Sequence, residues 1–240
     1  MPTARTGRRC VVAVDGPAGA GKSTVARAVA ARLGYIYVDT GAMYRAVALL
    51  ALRHRIPPDA VSQILARLDE VEIRLEPAAP GEPNRVYLDG EDVTDAIREP
   101  EVNAHVSEIA RHAAVRERLV ALQRAWAREG GIVMDGRDIG TVVLPDADVK
   151  VFLVADVDVR AKRRWRELLD KGHAVTLEEV RRQLIARDVQ DRTRAESPLR
   201  KADDAVVIDT SDMDIPAVVD EILRLCRERT ARGEAGTDKA

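Results

Sequence analysis

The chain has 240 residues, 46% of them hydrophobic and 32% charged, with a formal net charge of −2. That suits one large globular domain carrying inserts, able to bury most of its surface without disulfide or metal staples. It excludes a uniformly basic nucleic-acid binder, though not a local basic patch, and 32 of the 38 basic residues are Arg.

Cys10–Asp15 (CVVAVD) is a short apolar, β-branched run ending at a Gly-rich turn, the pattern of a buried strand. A helix is predicted over Lys22–Leu33, stopping at Gly34. Tyr35–Asp39 predicts a second strand and Gly41–His54 a second helix; after Pro57 and Pro58, Asp59–Leu68 predicts a third helix. Strands alternating with helices point to a parallel α/β sheet. Val71–Leu75 and Arg85–Leu88 alternate in β fashion around the stretch Pro77–Pro83, and Asp89-Gly90 signals a hairpin, so a small antiparallel insert is expected.

Helix returns from about Glu101 to Glu129, with Val115, Leu119, Leu122 and Trp126 as its apolar face and Gly130-Gly131 as its stop. Ile132–Asp135 and Val149–Val154 predict two more strands. Asp158–Lys171 and Thr176–Arg192 predict two charged helices, the second opened by the capping-box pair Thr176 and Glu179. Ala205–Ile208 predicts a final strand and Pro216–Arg229 a final amphipathic helix, followed by a polar, frayed tail. The parallel core is thus expected to hold five strands. Cys10 and Cys226 lie in no metal-ligand spacing and are expected as buried thiols in a reducing compartment. Residues 1–9 lack the apolar core of a signal peptide and no 18-residue apolar run occurs, so the expectation is a cytoplasmic chain with no membrane contact.

The strongest motif is Gly16-Pro17-Ala18-Gly19-Ala20-Gly21-Lys22-Ser23-Thr24, which fits G-x-x-x-x-G-K-[ST] between a predicted strand and a predicted helix. Its glycines let backbone N–H groups wrap a phosphate, and the helix N-terminus adds partial positive charge. Lys22 would reach the β- and γ-phosphates, and Ser23 would offer a hydroxyl to Mg²⁺. The plainer reading is a Gly-rich turn capping an ordinary helix. The motif alone specifies only a nucleotide-phosphate binder. The absence of an N-K-x-D segment argues against a GTPase, and the length argues for a small-molecule kinase rather than a motor or transporter.

Two further segments follow strands at the same expected sheet edge, where ligands bind in open α/β folds. In Asp39-Thr40-Gly41-Ala42-Met43-Tyr44-Arg45, Arg45 offers a fork for a phosphate and Thr40 a hydrogen bond; alternatively Thr40 is a plain N-cap and Arg45 incidental. In Asp135-Gly136-Arg137-Asp138, Asp135 stands where such enzymes place a carboxylate near Mg²⁺; alternatively the segment is a tight turn with local ion pairs.

With GPAGAGKST, VDTGAMYR, MDGRDIGTVVLPDA and RDVQDRTR, the sequence resembles the bacterial cytidylate kinases, of the nucleoside-monophosphate kinase fold, over about residues 10–226. The resemblance implies a P-loop NTPase fold, with core segments 10–68, 102–155 and 203–226. It also implies an acceptor-binding insert at about 69–101, a lid at about 156–202, and tails at 1–9 and 227–240. It implies ATP bound by residues 16–24, Mg²⁺, CMP and dCMP as acceptors, no nucleic-acid partner, and a monomer. It further implies an acceptor site lined by Asp39, Thr40, Tyr44, Arg45, Arg116, Arg137, Asp138, Arg187, Asp191 and Arg194. Within it Asp138, Arg116 and Thr40 would meet cytosine, Asp191 the ribose, and Arg45, Arg137 and Arg187 the monophosphate.

Cytosine chemistry agrees independently, since its N4 amino group donates while N3 and O2 accept, a match for a carboxylate beside Arg or Thr. The stretch from Asp156 to Arg200 carries 12 cations and 9 anions. It reads either as a salt-bridged solvated face or as a lid whose Arg neutralise the transferring phosphoryl group. On the second reading the catalytic set is Lys22, Arg137, Arg163, Arg164, Arg187 and Arg194, with Arg187, Asp191 and Arg194 on one helix face. Two other readings compete. A kinase for shikimate or dephospho-coenzyme A would not need the base and ribose residues. An RNA-binding regulator would rest on Arg160–Arg166 alone, without aromatic stacking residues.

Overall fold

The structure is a computed structural model that describes residues 9–76 and 84–237, with side chains through Ala231. Two sheets organise it. The larger has five strands in the order β2-β6-β1-β7-β8, where β1 is Val11–Asp15, β2 Ile36–Asp39, β6 Ile132–Gly136, β7 Val149–Val154 and β8 Val206–Asp209. All its pairings are parallel, as expected. The smaller sheet is antiparallel and contains β3 (Ile73–Glu76), β4 (Arg85–Leu88) and β5 (Glu91–Asp92). Asp89 and Gly90, both at positive φ, turn β4 into β5 as the hairpin signal requires. The expected loop Pro77–Pro83 and the expected N-terminal tail through residue 8 lie outside the described residues.

Every residue of β1 is buried, because helices cover both faces of the sheet. Val12 and Val14 face α1 (Lys22–Leu33) and α8 (Ile215–Thr237), where Val29, Val219, Ile222 and Cys226 complete the core. Val11 and Ala13 face the other way, onto Val120 and Ala127 of α5 (Ala113–Ala127) and Ile139. A third core joins α2 (Thr40–Arg53), α3 (Val61–Glu70) and α4 (Pro100–Ile109) to the small sheet through Met43, Ile64, Val86 and Ile109. A fourth, small cluster packs Ala18 between α6 (Val157–Asp170) and α7 (Leu177–Thr193), against Ala161, Val180 and Leu184.

Three expectations need correction. The helix expected over 101–129 is two helices, α4 and α5, separated at Ala110–His112, where His112 Nε2 meets the Pro58 carbonyl at 2.6 Å. The buried face of α5 is Val115, Arg116, Leu119, Val120, Gln123 and Ala127, while Leu122 is exposed. The face is rotated from the expected one because a buried Arg and a buried Gln replace apolar residues on it. The last helix runs to Thr237 rather than stopping at Arg229. Cys10 and Cys226 are buried thiols, and Thr176 and Glu179 form the expected capping box.

Candidate active site

The chain leaves β1 toward β2 and β6 on one side and toward β7 and β8 on the other, so a crevice opens beyond the C-terminal end of β1. The loop from Gly16 to Gly21 lines it. Gly16 is obligatory: a Cβ there would stand 2.1 Å from the Leu153 carbonyl oxygen of β7. Gly21 caps α1 with no side chain bonded to the first turn, which leaves those N–H groups for an anionic ligand. Lys22 is buried, with Nζ donating to the Pro17 carbonyl at 2.7 Å. Burial, then the charge of Arg137, pull it down to about 7.

Asp135, at the end of β6, accepts from Ser23 Oγ at 3.0 Å and from the Tyr37 hydroxyl at 2.7 Å. Burial and the charge of Asp39 push its carboxyl up to about 6. Asp39, not Thr40, caps α2: it accepts the Ala42 N–H at 3.0 Å and pairs with Arg45 Nη2 at 2.7 Å. Burial pushes Asp39 up, but Arg45 and the Ala42 N–H outweigh it and hold the carboxyl below its ordinary value. Thr40 Oγ1 donates instead to the Asp135 carbonyl at 2.8 Å, locking the start of α2 to β6.

After β6 the chain enters a single π turn, Ile139–Val143. Arg137 Nε donates to Asp191 of α7 at 2.7 Å. Asp138, buried, pairs with Arg116 of α5 and faces Arg194 Nη2 at 3.7 Å. The Arg116 guanidinium lies 5.5 Å from the centroid of the Tyr44 ring. Four donors in this wall are buried without a hydrogen bond: Arg45 Nε, Arg187 Nε, the Tyr44 hydroxyl, and Arg194 Nη2, which has only the longer ion pair to Asp138. Arg187 is pulled down to about 10, first by burial and then by the charge of Arg137. Buried donors left unpartnered are costly, so their convergence marks a site built for an anionic, acceptor-rich ligand.

The family model described as cytidylate kinase matches residues 12–228. This chain belongs to the cytidylate kinase family. It is 53% identical over 222 residues to the cytidylate kinase of Desulfitobacterium hafniense (strain Y51), covering 92% of this chain and 94% of that protein. It is 49% identical over 218 residues to the cytidylate kinase of Listeria monocytogenes serotype 4a (strain HCC23), covering 91% and 96%. Against a bifunctional pantoate ligase/cytidylate kinase of Synechococcus sp. (strain JA-3-3Ab), it is 50% identical over 236 residues, which are 98% of this chain and 44% of that protein. A crystal structure of a protein from Eubacterium ventriosum ATCC 27560 matches at a TM-score of 0.50 and 13% identity, covering 91% of this chain and 99% of that one, a likeness of fold alone.

Of the residues proposed from the sequence for a cytidylate kinase site, one crevice gathers Lys22, Ser23, Asp39, Thr40, Tyr44, Arg45, Arg116, Asp135, Arg137, Asp138, Arg187, Asp191 and Arg194. Arg194 does not continue the face of α7 shared by Arg187 and Asp191; it follows the helix in extended conformation and reaches Asp138 from there. The first lid helix differs more. Arg163 donates to the Thr210 hydroxyl at 3.1 Å and carbonyl at 2.6 Å, beside Ala20, and Arg164 pairs with Glu167 on an exposed face. Both therefore have partners other than the acceptor wall.

Sequence reading misses four residues of the cytidylate kinase crevice. Tyr37 orients Asp135, and Asp15 accepts two backbone N–H groups of the π turn. Arg160 and Asp188 form a buried pair at 2.7 Å behind Ala18. Asp15 alone carried a local signal, as a charged residue ending an otherwise apolar strand.

Proposed function

We propose that the chain transfers the terminal phosphoryl group of ATP to CMP and dCMP, yielding CDP and dCDP with ADP. The observation that carries this reading is the set of buried guanidinium donors without a hydrogen bond on Arg45, Arg187 and Arg194, gathered in the wall beside the phosphate loop. The ATP phosphates lie against the first-turn N–H groups of α1 and Lys22, with residues 16–24 as their cradle. The acceptor's phosphate sits among Arg45, Arg137 and Arg187. One of its oxygens, already ionised at neutral pH, forms the new bond to the γ-phosphorus as the bridging bond to ADP breaks, so no general base is needed. Lys22, Arg137 and Arg187 spread positive charge around the equatorial oxygens, and closure of α6 and α7 keeps water from taking the acceptor's place.

The pairing of Asp138 with Arg116 supports cytosine as the acceptor base. It sets an acceptor beside donors, complementary to the N4 amino group, N3 and O2. The carboxylate keeps lone pairs for N4 while bound to Arg116. Uracil would bring O4 against that carboxylate. Asp191 lies within reach of the ribose side, held by Arg137.

The hydroxyl of Ser23 and the carboxylate of Asp135, 3.0 Å apart, suit Mg²⁺, which takes one or two protein oxygens and completes its shell with phosphates and water. Bound there, it would neutralise phosphate charge. We take residues 69–101 as the acceptor-side insert and 156–202 as the lid. The same reading makes the enzyme a cytoplasmic monomer; among the described residues no helix is long and apolar enough to cross a membrane.

A coupled ATP-consumption assay with CMP, dCMP, UMP, AMP, GMP and shikimate tests the proposal. Turnover with CMP and dCMP well above the others is expected. Equal kcat/KM for CMP and UMP, or turnover with shikimate alone, would refute it.

A further inference from the structure

Asp15 ends β1 and immediately precedes the phosphate loop, yet its carboxylate bonds to a different segment. Its two carboxylate oxygens each accept a backbone N–H from the turn after β6: Oδ1 from Ile139 at 2.8 Å and Oδ2 from Gly140 at 2.8 Å. The carboxylate is buried. The turn it holds, Ile139–Val143, begins directly after Asp138.

The residue that precedes such a turn ordinarily caps it. An Asp in that position folds its own carboxylate back onto the first free N–H groups. Asp138 occupies the capping position and makes no such bond. Its oxygens face Arg116 and Arg194 instead. The cap is supplied from a different strand, by Asp15.

We infer that Asp15 is a positioning residue for acceptor recognition: by capping the 139–143 turn from β1, it releases the Asp138 carboxylate to face Arg116 and the acceptor base. The inference deepens the CMP kinase reading and rests on it for the identity of the base. It also explains an otherwise expensive feature. A buried carboxylate is retained at the end of an apolar strand because two N–H groups need an acceptor and Asp138 is engaged elsewhere. Gly136 gives the same segment its close fit, since a Cβ there would stand 2.7 Å from Thr40 Oγ1. The turn is therefore tied to β1 through Asp15, and that tie bears on Asp138.

Asp15→Asn is the near-isosteric test. The amide keeps one acceptor but sets its NH₂ against the other N–H, which frees that N–H for Asp138. The expected result is a rise of roughly tenfold to a hundredfold in KM for CMP, with a smaller change in kcat. CMP over UMP discrimination should fall by about tenfold or more, and the Kd of a fluorescent ATP analogue should change by less than about threefold. A purely structural role would lower Tm while leaving KM and discrimination of the folded enzyme unchanged, and that result would overturn the inference. So would a parallel loss of ATP-analogue affinity, which would place Asp15 in the donor loop. A readout that needs no variant is amide hydrogen exchange in the wild-type enzyme. Ile139 and Gly140 should be among the protected amides, and free exchange at both would overturn the inference even if Asp15→Asn fails to fold. Wild-type enzyme that does not phosphorylate CMP would sink the functional reading itself, whereas amide protection reports on the cap regardless.

Discussion

Arg160, near the start of α6, donates to the main-chain oxygen of Ala18, in the middle of the phosphate loop, at 3.1 Å. The same guanidinium donates to the Ala155 carbonyl at 3.0 Å and pairs with Asp188 of α7 at 2.7 Å. One buried side chain thus ties the donor loop to both helices of the proposed lid, and Ala18 packs into the apolar cluster between them. Of the five basic residues clustered at 160–166, this one is structural rather than solvated.

Asp188→Ala should therefore destabilise the enzyme strongly. It would strand a buried guanidinium, an event worth about 3–5 kcal/mol in comparable pairs. For a chain of this size that is a fall in Tm of roughly 6–20 °C. A thermal melt by circular dichroism checks it. A shift of a degree or two would show that the guanidinium finds water in the folded state and that the tie is dispensable.

Arg187→Ala should act on rate rather than on ATP binding. Arg187 is half-buried near Arg137 and its buried Nε has no hydrogen bond, an arrangement that waits for negative charge. A comparable Arg in other phosphoryl transfers contributes about 10³-fold or more. The expected outcome is a loss of that order in kcat, with the Kd of an ATP analogue changed by less than about threefold. Steady-state kinetics and a binding titration separate the two. Unchanged kcat would reduce Arg187 to a structural cation.

Legibility in the sequence followed the range of the interaction. The five core strands, the phosphate loop and the Asp89-Gly90 hairpin are local patterns, and each lies where its pattern places it. The break between α4 and α5 carries no Gly or Pro; it is held by His112 reaching the Pro58 carbonyl and Arg116 reaching the Ala110 carbonyl, contacts that no local pattern encodes. Among the lid cations the sequence cannot separate Arg160 from Arg163 or Arg164, because their roles are set by burial against Ala18 and Asp188, by the Thr210 loop, and by Glu167 respectively. Tyr37 was invisible for the same reason, since its role depends on β2 lying beside β6.

Asp138→Asn tests the base-reading pair. The carboxylate is buried between Arg116 and Arg194, and the amide would remove the charge that balances them. It would also present a mixed donor and acceptor edge. The expected result is a fall of about 10²-fold or more in kcat/KM for CMP, with a smaller fall for UMP, so that discrimination narrows. Parallel kinetics with both nucleotides read it out. Equal losses for CMP and UMP would mean that Asp138 only supports the Arg and does not read the base.

Lys22 gives the site a proton signature. In the free enzyme burial and Arg137 bring it to about 7. Binding of the ATP phosphates places negative charge on Nζ and favours the protonated form, so its pKa rises in the complex. At pH 8 the free lysine is mostly neutral and the bound one charged, so binding should take up close to one proton. At pH 6 the free lysine is already charged, and its uptake should fall to about a tenth of a proton. Uptake must therefore increase with pH between 6 and 8. Calorimetric titrations with an ATP analogue in buffers of different ionisation enthalpy measure the proton count directly. Lys22→Arg, charged at both pH values, removes this contribution, so the difference between wild type and variant isolates the lysine from the nucleotide's own titration. A difference that stays flat from pH 6 to 8 would show that Lys22 is charged before ATP arrives, and that Asp135 rather than burial governs its proton.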